Sequence, residues 1–276
     1  MIRVPATSAN LGPGFDALGL AVTLYADVGV VGADHMPDGA QEANDTHPAQ
    51  IAFLRAGGVG RVWVVTNIPM GRGLGFSGAV RIGGIVAAEV QQHGAKAWSP
   101  HNSQALFIGT ELEGHADNVA ASLYGGVVAT AAGKVVQIPL AMTPTVVAWV
   151  PSFTTSTNES RTKLGSVIAL DDAVFNIGRT ALLVAAFAAG DVSVLREATQ
   201  DRIHQDVRFS VAARSRDALE AGLAAGAWCG WLSGSGPTVA LLCDESSAQS
   251  IAGALPDDGV AKVLAIDTSG AQILGE

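Results

Sequence analysis

The chain has 276 residues, 49% hydrophobic and only 15% charged; that is apolar material for one large or two modest packed domains and argues against a disordered chain. A net charge of −9 argues against a nucleic-acid partner, whose phosphates are met by clustered lysines and arginines. Cys229 and Cys243 lack metal-ligand spacing, no continuous apolar run has the length of a membrane span, and the first residues show no charged-then-apolar leader, so the expectation is a cytoplasmic protein with buried thiols and no membrane partner.

Ile2 to Pro5 reads as a short strand. A loop dense in turn residues follows, ATSANLGPGFD over 6–16. Gly12-Pro13-Gly14 sets its backbone path and draws Asn10 and Asp16 towards one place. Taken alone, this loop reads equally well as a hairpin connection with polar tips. Residues 17–31 are apolar and β-rich and suggest two strand segments. Residues 35–50 are polar and turn-rich, and 51–55 suggests a short helix that Asn44, Asp45 or Thr46 could cap. Arg61 to Thr66 is a β-branched strand.

The next stretch, PMGRGLGFSGA over 69–79, leads into a small-residue helical pattern over 79–90. A glycine-rich loop therefore joins a strand to a helix N-terminus. Glycines let backbone N–H groups approach a ligand closely, and the helix start adds unpaired donors and a positive dipole end. This suits a phosphate. Gly73-x-Gly75-x-x-Gly78 matches the dinucleotide fingerprint, but Ile68-Pro69-Met70 separates it from its strand and no Asp or Glu lies in residues 90–110. The P-loop is excluded because no Gly-Lys-Ser/Thr is present. A glycine turn without a ligand stays open on these residues alone.

Further on, Glu111, Glu113, His115, Asp117 and Asn118 crowd together, followed by apolar 119–121 and Gly125-Gly126. They read either as a solvated helix end with a polar turn or as a functional cluster. Residues 127–138 suggest a hairpin around 132–134, and 146–150 a core strand. Ser156, Thr157 and Arg161 form either a capped helix start or an anion grip. Residues 175–189 read as a core helix with a small-residue stripe of Ala181, Ala185, Ala186 and Ala189, ended by Gly190. His204 reads as structural. Residues 212–226 form an alanine-rich helix, 228–243 runs from loop to strand through SGSGP at 233–237, and the tail suggests a helix over 246–255 and a closing strand over 260–274.

Five of these segments, in the same order, resemble the homoserine kinases of the GHMP kinase superfamily. They are VPATSANLGPGFDALGL over 4–20, the 69–79 loop, EGHADNVA over 113–120, the Ser156 to Arg161 and Asp201 to Arg208 turns, and SGSGP. The resemblance implies an α+β, two-domain fold: an N-terminal half (1–142) like domain 2 of ribosomal protein S5 and a ferredoxin-like C-terminal half (143–276). It implies ATP-dependent phosphorylation of the L-homoserine hydroxyl, a step towards threonine, and leaves a homodimer open. ATP phosphates would lie on Pro69, Met70, Gly71, Arg72, Gly73, Leu74, Gly75, Phe76, Ser77 and Gly78, with the adenine near Asn44. Mg²⁺ would be held by Ser77 and Glu111, with Glu113 in reserve. Substrate would meet Asn10, Asp16, His115, Asp117, Asn118, Thr157, Arg161, Arg208 and Gly234, and Asn10 and Asn118 would stand at the reacting hydroxyl.

The residue chemistry agrees. Phosphoryl transfer needs positioning and charge neutralisation, Mg²⁺ takes oxygen ligands and keeps waters, and an amino acid needs one anion grip and one cation grip. Arg161 and Arg208 suit its carboxylate and Asp16 and Asp117 its ammonium. Asn118 stands where many related kinases carry an aspartate base, so no dedicated base is expected. Phe76 replaces a loop serine, and Arg81 sits in a helix that is otherwise small and apolar. These departures keep two alternatives in play: a non-catalytic ligand sensor on the same fold, and a kinase for another small hydroxy amino acid such as threonine.

Overall fold

The computed structural model describes residues 1–154, 161–165 and 167–275. Its first sheet contains β1 (Ile2–Ala9), β2 (Leu18–Val30), β3 (Gln41–Glu42), β4 (Val62–Thr66), β5 (Val127–Ala131), β6 (Lys134–Ile138) and, from the far end of the chain, β11 (Gln272–Ile273). The strand order is β11-β1-β2-β4-β3, with β5 added on β2 and β6 on β5.

β1 outruns the predicted Ile2–Pro5 because Thr7 and Ser8, polar residues that look like loop, are buried with tertiary partners. The ladder shifts register between Pro5 and Ala6, where proline has no N–H to donate. β2 is one unbroken strand of 13 residues, not two segments. On one edge its first residues pair with β5 and its last with β4, while β1 pairs along the other edge, so a single strand serves three partners.

Helices α1 (Pro48–Arg55), α2 (Phe76–His93), α3 (Ala105–Glu113) and α4 (Asp117–Tyr124) complete the first half. α2 lies on β1 and β2 and touches the other three helices. Its Ala79, Val80, Ile82, Ile85 and Val86 are fully buried, so the strand-facing stripe of this helix anchors the first core.

The second sheet has β7 (Thr145–Pro151), β8 (Cys229–Leu232), β9 (Val239–Cys243) and β10 (Gly259–Leu264) in the order β10-β7-β9-β8. Between β7 and β8 run α5 (Leu170–Ala189), α6 (Leu195–Ala198), α7 (Gln205–Phe209) and α8 (Ala213–Ala224), and α9 (Ala248–Ala254) joins β9 to β10. This β-α-β-β-α-β succession with antiparallel order 4-1-3-2 is the ferredoxin-like arrangement. The region read as loop to strand over 228–243 is a hairpin, because Gly230 and Trp231 pair with Leu241 and Ala240.

The change of sheet falls between β6 and β7. After β10 the chain crosses back: Ile266 bridges Val22, and β11 pairs with β1. The tail therefore closes the first sheet rather than the second.

α5 corrects one expectation. By length and composition it could cross a membrane, with 22% of that stretch buried, but it packs on the fold through Leu183, Ala186 and Phe187, while Ala181, Ala185 and Ala189 of the supposed core stripe face solvent.

Candidate active site

One cleft of about 340 Å³ runs between the two halves. Among its lining residues are Asn10, Asp16, residues 69–78, Glu113, His115, Asp117, Asn118, Arg161, Arg208 and Gly234.

The loop after β1 forms one wall. Asn10, Leu11 and Asp16 hold positive φ values of 71°, 47° and 56°, which cost non-glycine residues energy unless neighbours fix them. The fixing is visible. Asn10 Nδ2 donates to the Gly234 carbonyl at 3.0 Å and its Oδ1 accepts from the Asp16 amide at 3.1 Å. Asp16 in turn receives the Arg161 guanidinium through both oxygens, at 2.5 and 3.0 Å.

Arg208 is 3% exposed. It donates to the Gly234 carbonyl at 2.9 Å and to His204 Nδ1 at 3.1 Å. His204 Nε2 lies 2.7 Å from the Gly12 carbonyl, so that nitrogen carries the hydrogen and Nδ1 accepts. Burial pushes the His204 imidazole down to about 4, which keeps it neutral. Among the described residues, no carboxylate forms an ion pair with Arg208, and its Nε–H has no partner. Burial, reinforced by the like charge of Arg161, lowers its guanidinium to about 10. Arg208 is thus a desolvated cation with a donor to spare. Both guanidiniums lie over the Phe15 ring, at 5.5 Å for Arg161 and 5.3 Å for Arg208. Asp201 shapes the turn that carries Arg208: it accepts from the amides of Ile203, His204 and Gln205 and from Asn176 Nδ2.

Opposite stands the glycine loop. Gly71, Gly73 and Gly75 all have positive φ. A Cβ on Gly73 would strike the Ser233 carbonyl, and one on Gly75 the Thr7 hydroxyl, so these two positions need glycine for space as well as for conformation. Ser233 Oγ donates to the Gly73 carbonyl at 2.6 Å, and the Thr238 amide to the Arg72 carbonyl at 3.2 Å, so SGSGP buttresses the loop from the other half. Gly75 caps α2 without a side-chain bond, and the first turn of α2 holds no acid. Its amides and positive end are left to an incoming anion. Phe76 does not plug this entrance. It is 9% exposed within the core cluster, its ring edge-on to His47 at 6.1 Å between centroids.

At the N-terminus of α4, Asp117 is buried. It accepts from His115 Nδ1 and from the Asn118 amide, both at 2.7 Å. Burial alone would lower the His115 imidazole, but the hydrogen bond and charge of Asp117 outweigh it, and the net shift is upward. Asn118 Oδ1 accepts from Thr7 Oγ1 at 2.6 Å, which turns its NH₂ towards Asp117. Where an aspartate would present a basic oxygen, this chain presents an engaged amide.

The acidic partner of Ser77 is Glu113. Ser77 Oγ donates to Glu113 Oε1 at 2.5 Å. Glu111 is half exposed and pairs with Arg55 at 2.8 Å, away from the cleft, because it points from another side of α3. Asn44 is exposed, bonded to Thr46 and not among the residues lining this cleft. His47, not Asn44, Asp45 or Thr46, caps α1, accepting from the Ala49 amide at 3.1 Å, and with Pro48 it lines the cleft beside Phe76. Pro48 at the first helical position marks the preceding His47 as the capping residue in the sequence itself. Thr157 lies outside the described residues.

Comparison with known proteins decides the family. Residues 45–126 match the GHMP kinases N terminal domain and residues 183–261 the GHMP kinases C terminal domain. The chain is 36% identical to the homoserine kinase of Desulfitobacterium hafniense, covering 99% of each, and 39% identical to that of Streptomyces avermitilis, covering 99% of this chain and 95% of the other. It belongs to the homoserine kinases of the GHMP kinase family. A crystal structure of homoserine kinase from Cytophaga hutchinsonii superposes with a TM-score of 0.82 at 26% identity, covering 99% of this chain and 96% of that one. At 13% identity and a TM-score of 0.70, mevalonate kinase from L. major shares the fold. Family membership accounts for the two-sheet architecture.

Proposed function

We propose that this chain transfers the γ-phosphoryl group of ATP to the side-chain hydroxyl of L-homoserine. The observation that carries the reading is the confrontation of two unsatisfied features across one cleft: an uncapped helix entrance in a glycine loop, and a buried arginine with no carboxylate among the described residues. The first suits the phosphates of a nucleotide and the second the carboxylate of an amino acid. Homoserine is the acceptor named by relatives that share more than a third of their residues with this chain over nearly the full length.

The amides at the α2 entrance and along residues 71–75 hold the phosphates through main-chain donors. Arg208 and Arg161 grip the acceptor carboxylate, and Asp16, released from part of its contact with Arg161, turns to the ammonium together with Asp117. Asn10, His115 and Asn118 stand where the hydroxyl must lie. Asn118 cannot take a proton, and a His115 imidazole with a raised pKa is a better donor than base. The hydroxyl proton therefore leaves to a phosphoryl oxygen or to water as the new O–P bond forms and the bond to ADP breaks. Ser77 and Glu113 are the oxygen donors suited to Mg²⁺, an ion that needs only one or two protein oxygens beside phosphates and waters. When bound, it would neutralise phosphate charge.

The experiment is a coupled ADP-release assay with Mg-ATP against a panel of L-homoserine, L-threonine and L-serine. Turnover on homoserine, with the others at least tenfold poorer in kcat/KM, is expected. Tight nucleotide binding with no turnover on any of the three would leave the sensor reading standing instead.

A further inference from the structure

Arg81 is the charge that the proposed chemistry does not use. It lies one turn beyond Ser77 on α2, among buried Ala79, Val80, Ile82 and Ile85. Its side chain is 17% exposed and that of its partner Glu113 12% exposed. Arg81 Nε lies 2.5 Å from Glu113 Oε1 and 3.2 Å from Ser77 Oγ. Both oxygens that suit a divalent cation therefore already accept from, or lie against, a guanidinium.

The geometry points to Arg81 as a positioning residue: a resident cation on Glu113 that takes over part of the divalent ion's charge-neutralising role and weakens the coupling between metal and nucleotide. This rests on the kinase reading of the cleft. Three physical steps support it. A carboxylate this far out of water needs a partner, and the guanidinium supplies a permanent one. Any cation reaching Glu113 Oε1 meets a fixed positive charge a few ångströms away, at an effective dielectric well below that of water, so its gain from that carboxylate falls. The same positive charge lies at the phosphate end of the cleft, beside Ser77 and the helix entrance, where it favours the nucleotide whether or not a metal accompanies it. The nucleotide site is charged in advance.

The measurement is the ratio of nucleotide affinity with Mg²⁺ to that in EDTA, read by isothermal titration of AMP-PNP into the purified full-length chain. This ratio is the metal–nucleotide coupling and involves no turnover. The native chain is expected to show a ratio under about tenfold. Arg81→Gln removes the charge yet keeps a donor for Glu113, and should raise the ratio at least tenfold above native. Arg81→Met, the second neutral variant, should do the same, and either one suffices if the other does not fold. Arg81→Lys keeps the charge and should stay within threefold of native. Neutral variants whose ratio equals the native one, or a lysine variant that behaves like them, would overturn the role given to Arg81. A native chain that binds AMP-PNP in neither condition would instead overturn the nucleotide reading itself, so the two failures are distinguishable.

Discussion

Replacing Arg208 by Met tests the acceptor half of the cleft most directly. Methionine fills much of the same volume and removes the guanidinium. The charge lost is 3% exposed, lacks a carboxylate among the described residues and has an orphan Nε–H, so beyond its bonds to Gly234 and His204 it has donors to spare for the proposed carboxylate. A carboxylate gripped by a buried guanidinium gains two charge-assisted hydrogen bonds, each about 1.5–3 kcal/mol. Removing them should cost about 3–6 kcal/mol, which is roughly 10²- to 10⁴-fold in kcat/KM for homoserine at about 1.4 kcal/mol per decade. The Gly234 carbonyl keeps its bond from Asn10 Nδ2, so the loop wall survives. Steady-state kinetics with homoserine and ATP varied separately should put the loss in the amino-acid terms, with the KM for ATP changed less than threefold. Arg208→Lys, which keeps the charge and loses the fork, should fall between the two. If Arg208→Met is folded and its kcat/KM for homoserine lies within threefold of native, or if the ATP terms suffer equally, the anion-grip argument is wrong.

The Glu113→Gln variant should lose at least tenfold in kcat at saturating Mg²⁺, whereas Glu111→Gln, on an exposed pair with Arg55, should change kcat less than twofold; side-by-side initial rates decide between the two glutamates. Restoring the loop serine with Phe76→Ser should not help the enzyme: emptying a core position that is 9% exposed costs about 3–5 kcal/mol, seen by calorimetry as a fall in Tm of order 10 °C, and an unchanged Tm would contradict the placement of the ring. His204 makes stability depend on pH. Its folded pKa of about 4 lies below its ordinary 6.5, so the unfolded chain binds the extra proton, and the stabilisation is full above 6.5 and lost on acidification towards 4. By pH 5 about 2 kcal/mol should be gone, measured by urea unfolding at pH 7.5 and 5. His204→Gln should lack that part of the drop, and an equal drop in the variant would reject the assignment.

The sequence alone was enough for the family, the α+β class and the elements that carry the chemistry. The glycine loop, the Asn10 to Asp16 loop and the Arg208 turn announce themselves locally, in clustered glycine, proline and Asx residues readable from a string, although distant partners such as Gly234 and Ser233 hold the first two in place. The sequence also pointed to Asn118 as an amide in an acid's place, and the amide is held by Thr7. What it could not decide depends on which side of a helix a residue faces, or on chain brought from far away. Glu111 and Glu113 differ by two positions on α3, about 200° around the helix axis, so only the packing of α3 on α2 could choose the one that meets Ser77. Thr7 and Ser8 looked like loop because their partners, Asn118 and Trp231, lie 111 and 223 residues away. Arg81 was legible only as an oddity. Its meaning came from the carboxylate that the fold sets against it, because the free energy of a buried charge belongs to the pair and not to the residue.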